Sequence, residues 1–289
     1  MIAPRKNIFI GMLELTKRVL TDQHPDCLVH WKDEVVFGTY QLDSESQNKS
    51  GSVQFLERGH KIPLESGVLD LKAQKDYLVG CTSQGSLFST DQENLLSEMQ
   101  VHSSCASMVS LRDSTCFVSF LDGSIATVDL NLQTVTSLQK VNPYEIWSVH
   151  NDQDLLFVPK FMGRLEIRDI RIESSIKTIE KHTQDICSIS TQENLLMTGS
   201  FDEGLCLSDL RNFKTIERVE FTGGVWRHHR TQKGIAAACM QSGFQFFFEG
   251  KLECYPTSSL AYGLEVLAEE FIVCSFYSSE LLFVSLSKT

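Results

Sequence analysis

The chain has 289 residues, of which 42% are hydrophobic and 22% charged, with only six prolines. That composition excludes a collagen-like, low-complexity or largely disordered chain. With 26 basic against 37 acidic residues the net charge is −11, and no Lys/Arg cluster offers the basic face a nucleic acid needs, so none is expected as a partner.

At the N-terminus, Ile8 to Leu15 reads as a strand, while Glu14 to Leu20 has a short helical look. The apolar stretch Ile8 to Leu13 is too short for a signal-peptide core and meets Glu14. A pattern then recurs down the chain: a short apolar run, turn residues, and a second short apolar run. The copies are Val35 to Phe55 (with a polar insertion, Asp43 to Ser50), Tyr77 to Phe88, Cys116 to Ile125, Leu155 to Leu165, Leu195 to Leu207, Ile235 to Phe246 and Phe271 to Phe283. Their turns fall at Gly51, Gly85, Gly123, Gly163, Gly204, Gly243 and Glu280, spaced 34 to 41 residues apart. Each copy supplies two strands joined by a tight turn, and the intervening stretch has room for two more. Four strands in roughly forty residues make a propeller blade.

Seven copies predict an all-β, seven-bladed WD-repeat-like propeller, a single domain over residues 1–289. The last copy stops after its third strand near Leu286, so the N-terminal run is expected to supply the missing outer strand, close the ring and remove an exposed edge. Asp91, Asp129, Asp169 and Asp209 close the third strands of their blades, where WD repeats place an Asp. Only Glu93 to Met99 gives a second helical hint.

The longest notable uncharged run, Gly234 to Phe248, has 15 residues, against the roughly 20 a membrane helix requires. No membrane association is expected. Nine cysteines without a C-x-x-C pair argue for reduced thiols in a cytoplasmic protein rather than a disulfide framework or zinc site. Cys81, Cys116, Cys187, Cys239 and Cys274 sit in apolar runs and are expected to be buried. A closed ring needs no partner to be stable, so a monomer is expected.

No nucleophile elbow, P-loop, dinucleotide fingerprint or H-E-x-x-H is present. From motifs alone, a non-catalytic scaffold binding a protein partner is the default. Five irregular clusters map to loops on one face: Thr39-Tyr40-Gln41, Tyr144 to Trp147, Gly223 to Arg227, Cys239 to Phe244, and Ser275-Phe276-Tyr277. Exposed Trp, Tyr and Arg on loops mark recognition, although Trp147 and Trp226 would equally suit packing between blades, and Gly223-Gly224 a tight turn. His228-His229 has no evident partner ligands and reads as solvated; no metal is expected. His182 with Ser200-Phe201-Asp202 resembles the buried His–Ser/Thr–Asp hydrogen-bond network of WD blades, and reads as a structural pair more readily than as an acid–base pair.

His182 to Ile189, Thr198 to Gly204, Asp209 to Asn212, Gly223-Gly-Val-Trp-Arg227, Ala237 to Phe244, Ala261-Tyr-Gly263 and Cys274 to Tyr277 together resemble the WD-repeat diphthine methyl esterase family of diphthamide biosynthesis. Gly38 to Leu42 and Glu145-Ile-Trp147 fit it more weakly. The resemblance implies a carboxylic ester hydrolase, despite the methyltransferase-style naming in that family. Its substrate would be the methylated diphthine on one histidine of translation elongation factor 2; methanol would leave, with no cofactor. The chain departs from the family in having Val158 to Gly163 for a Gly-Gly-Asp-Asp-type turn, His228-His229-Arg230 for Trp-His-Pro, and Ser278 for an Asp.

That substrate carries a trimethylammonium group, which aromatic faces hold well. Tyr40, Trp147, Trp226 and Tyr277 are the rim aromatics, and Glu145 adds charge. Ester hydrolysis also needs an oxyanion donor, for which Arg227 or the Gly223 and Gly224 amides are available. Glu145, His182, Asp202 and Arg227 are the catalytic candidates, His182 or Asp202 serving as base if not held structurally. Ser200, Ser275, Cys239 and an activated water remain open as nucleophile.

Overall fold

The computed structural model describes residues 8–9, 13–45, 47–268 and 270–287. Among them the strands form seven sheets. Five are four-stranded antiparallel blades in chain order, spanning 24–64, 68–100, 106–140, 150–180 and 186–220, and the sixth, 227–255, has four antiparallel strands of its own and a fifth strand from the N-terminal segment. The seventh contains Ala261–Leu267, Glu270–Ser275 and Glu280–Leu286, and takes Leu13–Leu20 as its outermost strand. Neighbouring inner strands touch round the ring, and Ala261–Leu267 touches His24–Trp31. The protein is therefore the all-β, seven-bladed propeller predicted, closed by its N-terminal segment.

The closing strand lies slightly later than the expected Ile8 to Leu15. It pairs from Leu13↔Leu286 to Leu20↔Glu280, and Arg18 bonds Glu280 at 3.2 Å. Ile8–Phe9 instead pairs parallel to Lys251–Tyr255 on the sixth blade, while residues 10–12 lie outside the described ones. Both helical hints fall on strands, Leu13–Leu20 and Leu95–Gln100. Each is an outermost strand, where the unsatisfied edge of the neighbour imposes an extended chain over weak local propensity.

Blades stack face to face, so middle strands are apolar on both faces: Leu78–Thr82 and Leu195–Ser200 are almost wholly buried. Outer strands are polar and largely exposed, as in Ser174–Glu180. The five cysteines expected in the core are all buried there. Asp129, Asp169 and Asp209 each end a third strand, and each carboxylate accepts the amide two residues on, which turns the chain into the outer strand. Asp91 makes the same turn one residue past its strand.

The tight turns at Gly123 and Gly163 require glycine. Gly123 and Gly163 have φ of 89° and 68°, and a Cβ would lie 2.1 Å from the Asn142 carbonyl or 2.3 Å from that of His182. These contacts fold each second-to-third-strand turn against the loop leading to the next blade. Both kinds of loop therefore share one end of the ring, the end that carries the irregular clusters.

Candidate functional site at the channel mouth

Six aromatic rings run round this end in an unbroken series. Trp147, Phe201 and Trp226, from blades 4, 5 and 6, form a triangle with centroids 5.5 to 6.0 Å apart. Trp226 lies 5.0 Å from Tyr262, Tyr262 lies 5.2 Å from Phe276, and Phe276 lies 6.2 Å from Tyr40. Tyr277, 64% exposed, stands edge-on to Phe276 at 4.9 Å. The sequence-selected Tyr40, Trp147, Trp226 and Tyr277 thus belong to one surface. Phe201, Tyr262 and Phe276 connect them and were not selected; each adjoins a chosen position or falls within a quoted motif, the one signal that marked them.

The Trp pair is half-buried, so interblade packing and a presented face coexist. The Trp226 indole Nε1 is buried without a hydrogen-bond acceptor among the described residues. Gly223 and Gly224 are both buried. A Cβ on Gly223 would meet the Cys239 carbonyl at 2.5 Å; on Gly224 it would meet Met240 Sδ at 3.1 Å and Phe201 Cα at 3.3 Å. Their lack of side chains lets this loop approach its neighbours and seats Trp226 against Phe201.

Arg227 begins the inner strand Arg227–Arg230 of blade 6. Its guanidinium lies 5.5 Å over the Trp226 ring, donates to the Trp226 carbonyl at 3.0 Å, and reaches toward blade 2, where Asp70 Oδ1 is 3.8 Å away. Asp70 also accepts from the Val109 amide and from Lys72. A cavity of about 200 Å³ borders these groups, lined by Asp70, Lys72, Arg227, His229 and Glu265 among others. Arg227 thus links the aromatic series to inner strands bearing charges of both signs.

His182 and Asp202 come together, but in the wall of blade 5. His182 Nδ1 is 3.0 Å from Asp202 Oδ1, and its Nε2 is 2.9 Å from Thr198 Oγ1. Asp202 also accepts from the Thr183 amide at 2.8 Å and pairs with Arg218 at 3.2 Å. Burial opposes the charge on both, but the pair outweighs it: the His182 imidazolium is favoured, and Asp202 is held far below the usual carboxylate range. Every polar atom of the pair is committed, which is the structural role. Only Phe201 separates this network in sequence from the aromatic mouth.

Glu145 is exposed on the loop before blade 4. Burial, and secondarily its proximity to Glu145, pushes the Asp185 carboxyl up, which sets Glu145 on the rim beside blade 5. Ser200, Ser275 and Cys239 are fully buried. The Ser200 hydroxyl donates to the Gln184 carbonyl, and Ser275 bonds Ser278 and Ser259. None of the three presents a nucleophile to the mouth, which leaves water from the earlier alternatives.

His228 and His229 are not solvated. They alternate on an inner strand rather than a loop, so His228 points toward blade 5, between the Ser188 and Ser190 hydroxyls, at 2.9 and 2.8 Å. Burial, and then His229, lowers its imidazolium to about 3. His229 Nε2 contacts the Leu264 carbonyl at 3.1 Å.

No family model matches the chain. Curated relatives do. A diphthine methyltransferase of Homo sapiens is 34% identical over 128 residues, covering 39% of this chain and 27% of that protein. Its Mus musculus counterpart is 40% identical over 78 residues, 24% of this chain and 16% of the relative. A diphthine methyltransferase homolog of Dictyostelium discoideum is 27% identical over 276 residues, 75% of each chain. The matched segments thus span about a quarter or less of the two mammalian proteins. Among solved structures, a chain of the mitotic checkpoint complex superimposes with a TM-score of 0.78 at 14% identity, covering 99% of this chain and 95% of that one. The computationally designed Ika8 protein gives 0.69 at 11% identity, covering 92% and 98%. These two likenesses establish the fold alone. Relatives and ring together are consistent with the WD-repeat diphthine methyl esterase family to which the sequence resemblance points.

Proposed function

We propose that the protein hydrolyses the methyl ester of methylated diphthine on translation elongation factor 2, releasing methanol. The observation that carries this reading is the convergence of six aromatic rings and the Arg227 guanidinium on one channel mouth. A quaternary ammonium has no proton to donate and is held by ring faces, each contributing about 0.5–2 kcal/mol. An ester carbonyl seated below the rings would meet Arg227 as the donor to its developing oxyanion. The relatives' name describes methyl transfer; the Arg227 guanidinium beside the rings supports the hydrolytic reading instead, and the reaction is expected to need no methyl donor.

The test is methanol release from the esterified factor by catalytic amounts of the protein, compared with Trp226→Ala and Arg227→Ala. Both variants should be slower. Unchanged rates in both would remove this site, and stoichiometric binding without methanol would favour the scaffold reading.

A further inference from the structure

The mouth contains a carboxylate that sequence reasoning passed over. Asp26 lies at the start of the inner strand His24–Trp31, where pairing with the second strand slips between Pro25 and Cys27. A bulge takes one residue out of the ladder and re-aims its side chain. Asp26 is 8% exposed and has no hydrogen-bond or ion-pair partner among the described residues. Buried carboxylates are ordinarily paired; Asp70, Asp169 and Glu280 all are. An unpaired one beside a recognition surface is an acceptor waiting for a donor.

Its surroundings give that donor a place. The charge of Asp26 bears on Tyr40, Tyr262 and Cys105, which belong to the aromatic mouth and the loop before blade 3. The charged groups that act on it are Arg227 from blade 6 and Asp70 from blade 2. We propose that Asp26 is the general base of the hydrolysis, activating a water for attack on an ester held beneath the aromatic rings, with Arg227 receiving the oxyanion and Asp70 positioning Arg227. This rests on the esterase reading above.

The step balances without a co-reactant. Asp26 takes one proton from water as the water oxygen bonds to the ester carbonyl carbon, and the carbonyl electron pair moves onto the oxygen facing Arg227. When the tetrahedral intermediate collapses, the carbon–methoxy bond breaks and the methoxy oxygen takes the proton from Asp26, leaving as methanol. The product acid loses its own proton to solvent.

The electrostatics suit a base operating near neutrality. Burial pushes the Asp26 carboxyl up to about 7, with Arg227 pulling it down and Asp70 pushing it up. Burial raises the neighbouring Tyr40 and Tyr262 phenols and the Cys105 thiol, the last to about 11, so they stay protonated across that range. Burial likewise raises Cys27, on the same strand, and Cys274, in blade 7.

The experiment is the pH dependence of kcat and KM for methanol release, in wild type, Asp26→Asn and Asp70→Asn. Asp26→Asn should lower kcat roughly 10²- to 10⁴-fold, the usual worth of a general base, with little change in KM and without the wild-type acid limb near pH ~7. Asp70→Asn should move that limb to lower pH, because a like charge is gone; a purely structural role would not shift it. Loss of activity by unfolding is separated by thermal melting, where Asp26→Asn should melt at or above wild type at neutral pH. Wild-type kcat and an unchanged acid limb in Asp26→Asn would overturn the assignment while leaving the esterase reading intact. A wild type that releases no methanol would overturn both.

Discussion

Asp202 and Asp26 stand at the same end of one ring, and they are opposites. Asp202 is surrounded by His182, Arg218 and the Thr183 amide, and its charge is an asset to the fold. Asp26 is buried but unpaired, and its charge is a burden to the fold. The WD motif pointed to the first carboxylate. The difference teaches that a motif acid with every lone pair committed is fastening a blade, whereas a buried acid without a partner is held in readiness for something the chain does not contain.

The largest effect should come from breaking the committed pair. Asp202→Ala leaves the buried His182 imidazole without its acceptor, and removing one partner of such a buried network costs about 3–5 kcal/mol. Denaturant unfolding should show that loss, while the folded fraction keeps its methanol-releasing activity. Loss of activity without loss of stability would erase the distinction between the two regions. Arg227→Ala should do the reverse: a roughly 10²- to 10³-fold drop in kcat, the usual cost of an oxyanion donor, with the fold retained.

The pH dependence of stability sharpens the contrast. Burial raises the folded-state pKa of Asp26 to about 7 from the usual aspartate value of 3.8. The folded protein then binds more protons than the unfolded chain between those values, so Asp26 makes stability fall as pH rises through that window and level off above it. At ~1.4 kcal/mol per pH unit the ceiling is about 4 kcal/mol. In Asp26→Asn this contribution should vanish from melting curves taken across the window. The His182 imidazolium, raised by its bonds to Asp202, contributes stability that is full below the unfolded value and fades as pH climbs through the folded one. His182→Ala should therefore cost more at pH ~5.5 than at pH ~8.5. The smallest effect is expected from Trp226→Ala on substrate affinity, about 0.5–2 kcal/mol from one aromatic face, read as a several-fold rise in KM.

Much of the ring was legible because its cause is local and repeated. Turn glycines every forty residues, apolar runs buried on both faces and strand-ending aspartates each follow from one blade's requirements, and seven copies reinforce one another. The clusters Tyr40, Trp147, Trp226, Arg227 and Tyr277 were legible because large aromatics and a cation in loops have no such local cause. Asp26 was not legible. It sits between Pro25 and Cys27 like any polar residue of a strand, and its meaning depends on a bulge, on Arg227 two hundred residues away and on the lack of a partner. His228 misled for a related reason: its meaning depends on the short inner strand that turns its ring toward two serine hydroxyls of the neighbouring blade. Chemistry that depends on closure of the ring is written in no single blade.

The most direct measurement is a time course of methanol released from the esterified elongation factor, with protein at one-hundredth of the substrate and no methyl donor present. The account predicts repeated turnover until one methanol has appeared for each ester, and a parallel loss of the ester mass from the modified histidine. A trace that stays flat while the two proteins bind one to one would show that the aromatic mouth recognises its partner without reacting.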